Sequence, residues 1–103
     1  MLLLEASTQR EFHAGVSDAA DAIGKAGGWV ISHQFYSKTL AVIACQIPAE
    51  ALSSFAEALE VVGIKLHRSV PETTGPIDDI AVQLSITFVQ DGPDFRREVP
   101  AFG

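Results

Sequence analysis

Three histidines, one cysteine and a short run of hydroxyl and amide side chains are the residues of this 103-residue chain whose types lend themselves to chemistry. His13, His33 and His67 stand 20 and 34 residues apart, with no cysteine or glutamate at ligand spacing. A metal centre needs three or four converging ligands, usually two from one local element. The spacing therefore predicts no metal site, and the histidines read as scattered surface or hydrogen-bonded side chains. Cys45 would act as a nucleophile only if a histidine lowered its pKa. On the hairpin described below His33 faces away from it, so Cys45 reads as a buried structural thiol. A single cysteine also rules out an intrachain disulfide.

Ser32, Gln34, Tyr36 and Thr39 are the candidate ligand-binding residues. Their hydroxyl and amide groups would offer donors above an apolar floor, or else form a polar rim around a dimer contact. Asp78-Asp79 reads as a solvated loop, since Ca²⁺ takes six or more oxygens and no other acids gather there. Gly24, Gly27 and Gly28 end a helix, and so lack the strand-to-helix placement that aims amides at a phosphate. No catalytic constellation and no cofactor signature is present.

These residues sit on elements that the hydrophobic periodicity lays out in order. Leu2, Leu3, Leu4 and Ala6 form a short strand. Thr8-Gln9-Arg10-Glu11 matches the capping box, in which hydroxyl and carboxylate satisfy helix-start amides reciprocally. Phe12, Val16, Ala19, Ala20, Ile23 and Gly27 then recur at helical spacing, and Gly27-Gly28 supplies the stop. Trp29–Tyr36 and Thr39–Ile47 read as a hairpin turning at Ser37-Lys38. A two-residue turn pairs Phe35 with Leu40, His33 with Val42, Ile31 with Ala44 and Trp29 with Gln46. That face is expected to be core. Val30, Ser32, Gln34 and Tyr36 share the opposite face with Thr39, Ala41, Ile43 and Cys45.

Pro48 opens a second helix with an apolar stripe of Leu52, Phe55, Ala56, Leu59 and Val62, closed by Gly63. Ile64–Val70 is a short strand and Pro71–Asp79 a loop. Ile80, Val82, Leu84, Ile86 and Phe88 alternate with small or polar residues as the clearest half-buried strand. Phe95, Val99 and Phe102 punctuate an irregular tail. The expected organisation is a single domain over residues 1–90 with a tail over 91–103. Its fold class is α+β: a ferredoxin-like βαββαβ sandwich with an additional C-terminal strand and two helices on one face of an antiparallel sheet. The first and third strands should lie in the middle. The additional strand should extend the sheet beside Ile64–Val70 or exchange with a partner subunit. The uncovered face, holding Val30, Tyr36, Ala41, Ile43 and Cys45, is too apolar to stay wet, so a homodimer through that open sheet face is expected.

Composition bounds the partners. The apolar share is 48% against 19% charged, ample for a core. Thirteen acids against seven bases leave a net charge of −6, which disfavours nucleic acid, and no basic cluster exceeds Arg96-Arg97. Met1–Glu5 has neither a basic leader region nor a membrane-length apolar run, so the expected location is cytoplasmic, away from any membrane.

The stretch from Gly15 to Leu66 resembles the small-molecule-sensing ACT domain. Gly15-Val16 begins the apolar helix. Ala26-Gly27-Gly28-Trp29-Val30-Ile31 is similar to the family's Ala-Gly-x-Asn-Ile junction, and Thr39–Ile47 with Pro48–Leu59 gives the next strand and helix. Thr8–Gly15 stands where that family has its Asp-Arg-Pro-Gly entry. The resemblance implies amino-acid binding at an interface of paired subunits, often beside the loop that enters the first helix. Together these readings favour a non-enzymatic small-molecule-binding or regulatory module acting as a homodimer. One alternative is a small dimeric α+β-barrel enzyme using His33 or His67 as acid/base. Another is a protein-interaction subunit working through the sheet edge or the tail.

Overall fold

The computed structural model describes residues 1–37, 39–71 and 79–89. In order they form β1 (Leu2–Thr8), α1 (Phe12–Lys25), β2 (Trp29–Ser37), β3 (Leu40–Pro48), a single 3-10 turn (Ala49–Ala51), α2 (Leu52–Val61), β4 (Ile64–Leu66) and β5 (Asp79–Phe88). Five strands make one sheet in the order β2-β3-β5-β1-β4. The class is α+β, as the periodicity predicts. The strand order is not the expected one, because β5 lies between β1 and β3 and keeps the first and third strands apart. It runs parallel to β1 and antiparallel to β3, so the sheet is mixed.

Strand β5 earns the central place through its length and its alternation. Val82, Leu84, Ile86 and Phe88 are buried, while of the residues between them Gln83 and Ser85 are half-buried and Thr87 is exposed. On the same face lie Leu4 and Ala6 of β1 and Ala41, Ile43, Cys45 and Ile47 of β3. Ala19, Ala22 and Ile23 of α1 and Leu52, Phe55 and Leu59 of α2 close over them in one apolar cluster. Each large apolar side chain fully buried there contributes about 1.5–3 kcal/mol.

The hairpin corrects the expected faces. Trp29 pairs with Gln46 and Val30 with Cys45, but an irregularity at Ile31 moves the register so that Ser32 meets Ala44, His33 meets Ile43, Gln34 meets Val42 and Phe35 meets Ala41. A second, at Tyr36, leaves Ser37 opposite Leu40. A slip of one residue carries every following side chain to the other face. His33 and Phe35 therefore share the helix-covered face with Ala41, Ile43 and Cys45, and Ser32 and Gln34 join Val42 and Ala44 on the open face. Ala41, Ile43 and Cys45, expected on the uncovered face, are core instead. Of the five residues expected to make that face apolar, Ala41, Ile43 and Cys45 are buried and only Val30 and Tyr36 are exposed.

Helix α1 starts later than the capping-box reading has it. Glu11 is its N-cap, accepting from the backbone N–H of His13 at 3.1 Å and of Ala14 at 3.0 Å. Thr8 ends β1, buried, where its hydroxyl donates to the Gly63 carbonyl at 2.8 Å and accepts from the Arg10 N–H at 3.1 Å. Gly27, at φ 86°, caps the other end in the left-handed region, and the Gly28 N–H reaches the Ile23 carbonyl at 2.9 Å. Strand β4 is shorter than expected, stopping at Leu66. Among the described residues no helix is long and apolar enough to cross a membrane. Lys38, most of the Pro71–Asp79 loop and the tail with Phe95, Arg96-Arg97, Val99 and Phe102 lie outside the described residues.

Two outcomes follow from this packing. A Cβ on Gly15 would stand 2.5 Å from Cε2 of the buried Phe88 ring. Gly15→Ala is therefore expected to lower stability by about 1–3 kcal/mol through overpacking, more than the roughly 1 kcal/mol of helix propensity it gains, and thermal unfolding reads the difference. The two N–H donors hold the Glu11 carboxyl below its ordinary pKa. A carboxylate with a depressed folded pKa stabilises above its unfolded value and loses that contribution as pH falls through the folded one. The stability gap between the native chain and Glu11→Gln should narrow on acidification across and below the ordinary carboxylate range, measured by denaturant titration.

Candidate functional site

The candidate ligand residues all lie toward the outer rim of the sheet, on β2 and its turn. Tyr36 donates its phenolic hydrogen to Gln34 Oε1 at 3.0 Å. The Ser37 and Thr39 hydroxyls are 2.8 Å apart, and the Thr39 N–H donates to Ser37 Oγ at 3.1 Å. Ser32 and Gln34 are exposed on the open face. The polar groups of Gln34, Tyr36 and Thr39 thus bond along the strand and turn, and the clefts described below are lined by other residues.

The histidines are dispersed. His13 is exposed at the start of α1, with its ring edge-on to Phe12 at 5.5 Å. His33 is exposed on β2, stacked on Phe35 at 4.9 Å, and Phe35 meets Phe12 at 5.1 Å. His67 follows β4 on the far side of the sheet, its Nδ1 3.9 Å from the exposed Glu5 carboxylate. Strands β2 and β4 are opposite edges, so His33 and His67 cannot serve one reaction centre within a chain. Among the described residues no group of three or more His, Cys, Asp or Glu could hold a metal ion. Cys45 is 1% exposed, and burial pushes its thiol up to about 11. The bulge does bring His33 to the face that Cys45 occupies, but His33 lies out in solvent while the thiol is under the helices.

Four clefts remain. The largest, about 500 Å³, opens where β1 ends and the chain turns into α1, and is lined by Ser7, Thr8, Gln9, Arg10, Gly63, Lys65 and Val89. The Thr8 hydroxyl joins its two walls by bridging Gly63 and Arg10, and the Val89 N–H donates to the Thr8 carbonyl at 2.8 Å, fixing the end of β5 beside it. Arg10 Nε lies 2.7 Å from Asp18 Oδ2, an atom withdrawn from solvent; the contact is ionic and not an aligned hydrogen bond. It restrains the guanidinium beside the cleft.

A second cleft of about 390 Å³ between α2 and β4 holds Glu57, Glu60, His67 and Arg68 among its lining. Glu5, His67 and Arg68 recur in one of about 240 Å³ against β1. The last, about 320 Å³ between the helices, holds Asp18, Asp21 and Lys25. Sequence reasoning missed the first cleft because Thr8-Gln9-Arg10-Glu11 reads locally as a helix start. Only the contact with Gly63, 55 residues away in sequence, shows it to be a wall.

Burial makes Cys45 inert in the native state. A thiol-specific disulfide reagent at pH about 8 should leave it unmodified until denaturant is added, with absorbance of the released thiolate as the readout.

The chain matches no protein-family model, no curated protein and no solved structure.

Proposed function

We propose that the protein is a non-enzymatic small-molecule-binding module acting as a homodimer, and that it takes a small carboxylate- or phosphate-bearing metabolite in the cleft between the end of β1 and Gly63. One observation carries the reading. Of the four clefts, this is the one lined by two cations, Arg10 and Lys65, and no acid, in a chain with a net charge of −6. Its volume, about 500 Å³, falls within the range of small-molecule sites.

A restrained guanidinium suits a planar anion, because its fork of donors matches a carboxylate or phosphate edge. Lys65 would add a mobile point charge from the other wall, and the exposed loop amide of Gln9 borders the same opening. The resemblance to the ACT domain supports the reading, since it implies a ligand beside the loop entering the first helix. No histidine, cysteine or carboxylate lines the cleft to activate its Ser7 or Thr8 hydroxyl, which favours binding over turnover.

A thermal-shift screen against amino acids, dicarboxylates and phosphorylated metabolites tests the proposal. A ligand at a hundred times its Kd stabilises the native state by about 2.7 kcal/mol, which raises the melting temperature of a domain this size by roughly 10 °C or more. Lys65→Gln removes a charged partner worth about 1.5–3 kcal/mol and should weaken binding by about tenfold or more, measured by calorimetry. Absence of a shift with every anion, or a shift that Lys65→Gln and Arg10→Gln leave unchanged, would overturn the assignment.

A further inference from the structure

Two exposed aromatic rings reach the face of the sheet turned away from the helices. Trp29 pairs with Gln46, whose neighbours Cys45 and Ile47 are buried under the helices, so Trp29 lies on the open face. Tyr36 joins that face beside Gln34, to whose Oε1 it donates. In an unbroken strand, residues 29 and 36 would point to opposite sides. The irregularity at Ile31 brings both rings to one side. They are 51% and 62% exposed, and β3 advances roughly 17 Å between Gln46 and Ala41, the partners that bracket them.

The surface inward of the rings is polar, low and uncharged. Ser32 and Gln34 stand between the rings on β2. Beyond them the register sets Gln46 of β3 opposite Ala81 of β5, and Ala44 of β3 opposite Gln83 of β5. The two alanines make a shallow floor, and the two glutamines stand diagonally across it, each amide carrying both donors and an acceptor. Strands β2, β3 and β5 hold one charged residue, Asp79, in a chain with 13 acids and 7 bases.

These features select a ligand chemistry. Stacking on aromatic rings would also suit the bases of a single nucleic-acid strand, but its phosphates need cations, and β2 and β3 carry none. A protein partner would desolvate the glutamine and serine groups at the centre, where an interface is ordinarily driest. A pyranose ring has an apolar C–H face that stacks on an aromatic ring and a hydroxyl edge that amides and hydroxyls can bond. It carries no charge, and a chain of such rings is long and narrow enough to run from Trp29 to Tyr36.

We propose that the open face between Trp29 and Tyr36 binds a neutral oligosaccharide, with the two rings as stacking platforms and Gln34, Gln46 and Gln83 as hydrogen-bonding groups. This site is separate from the cleft at the end of β1, and any homodimer contact then lies away from this face.

Trp29 is the sole tryptophan of the chain, so its fluorescence reads the face directly. Titration of the full chain with cellohexaose, maltohexaose, xylohexaose and mannohexaose should give a saturable change with at least one of them, and poly(U) RNA should give none. Tyr36→Ala and Gln34→Ala, both at exposed positions, should each weaken that binding, Tyr36→Ala by about tenfold or more. Trp29→Ala should do the same by calorimetry, with circular dichroism confirming that all three variants are folded. Arg10→Gln, in the cleft, should leave the affinity unchanged. A face that binds none of the four hexasaccharides, or binds poly(U), would overturn the proposal. So would saccharide binding that survives all three substitutions, or a native dimer that Trp29→Ala or Tyr36→Ala dissociates in sedimentation velocity.

Discussion

Strand β5 is hydrogen-bonded along both edges, to β1 on one side and β3 on the other, and much of the remaining architecture depends on that insertion. It is the longest strand, and its inward residues Val82, Leu84, Ile86 and Phe88 form the floor on which both helices rest. Removing a fully paired central strand would expose two inner edges at once and strip the helices of their main apolar support. The close fit of Gly15 on the Phe88 ring shows how tightly α1 is set against this strand.

Insertion of a fifth strand also widens the sheet beyond what two helices cover. A helix is about 10 Å across with its side chains, and neighbouring strands lie about 4.8 Å apart, so two helices span roughly four strands. The short β4 is retained under α2, where Ile64 is buried. Strand β2 falls outside the covered width, although α1 leads directly into it. Its exposed aromatics are thus a geometric result of where β5 inserts. The Phe12, Phe35 and Phe88 rings, in contact at 5.1 and 4.9 Å, tie the inner side of this strand back to the core.

The cleft at the end of β1 comes from the same layout. Strands β1 and β5 run parallel, so their carboxyl ends finish side by side at Thr8 and Val89. The α2–β4 turn arrives beside them through Gly63, whose φ of 85° makes the tight turn that presents its carbonyl to Thr8. Three segments distant in sequence meet there, and two of them bring a cation to its rim.

The sequence by itself determined the number and type of elements, the helix stops at Gly27 and Gly63, the inward set of β5 and the α+β class, because each rests on local periodicity and turn chemistry. Tertiary structure alone decided the strand order, the faces of the hairpin and the cleft. Strand order depends on which strand gains most from two paired edges, a comparison across the whole chain. The faces depended on one extra residue at Ile31, which alternation cannot register because Val30, Ile31 and Phe35 are all apolar. The cleft depended on Thr8 choosing a carbonyl 55 residues away over the helix beside it, and nothing in Thr8-Gln9-Arg10-Glu11 records that choice.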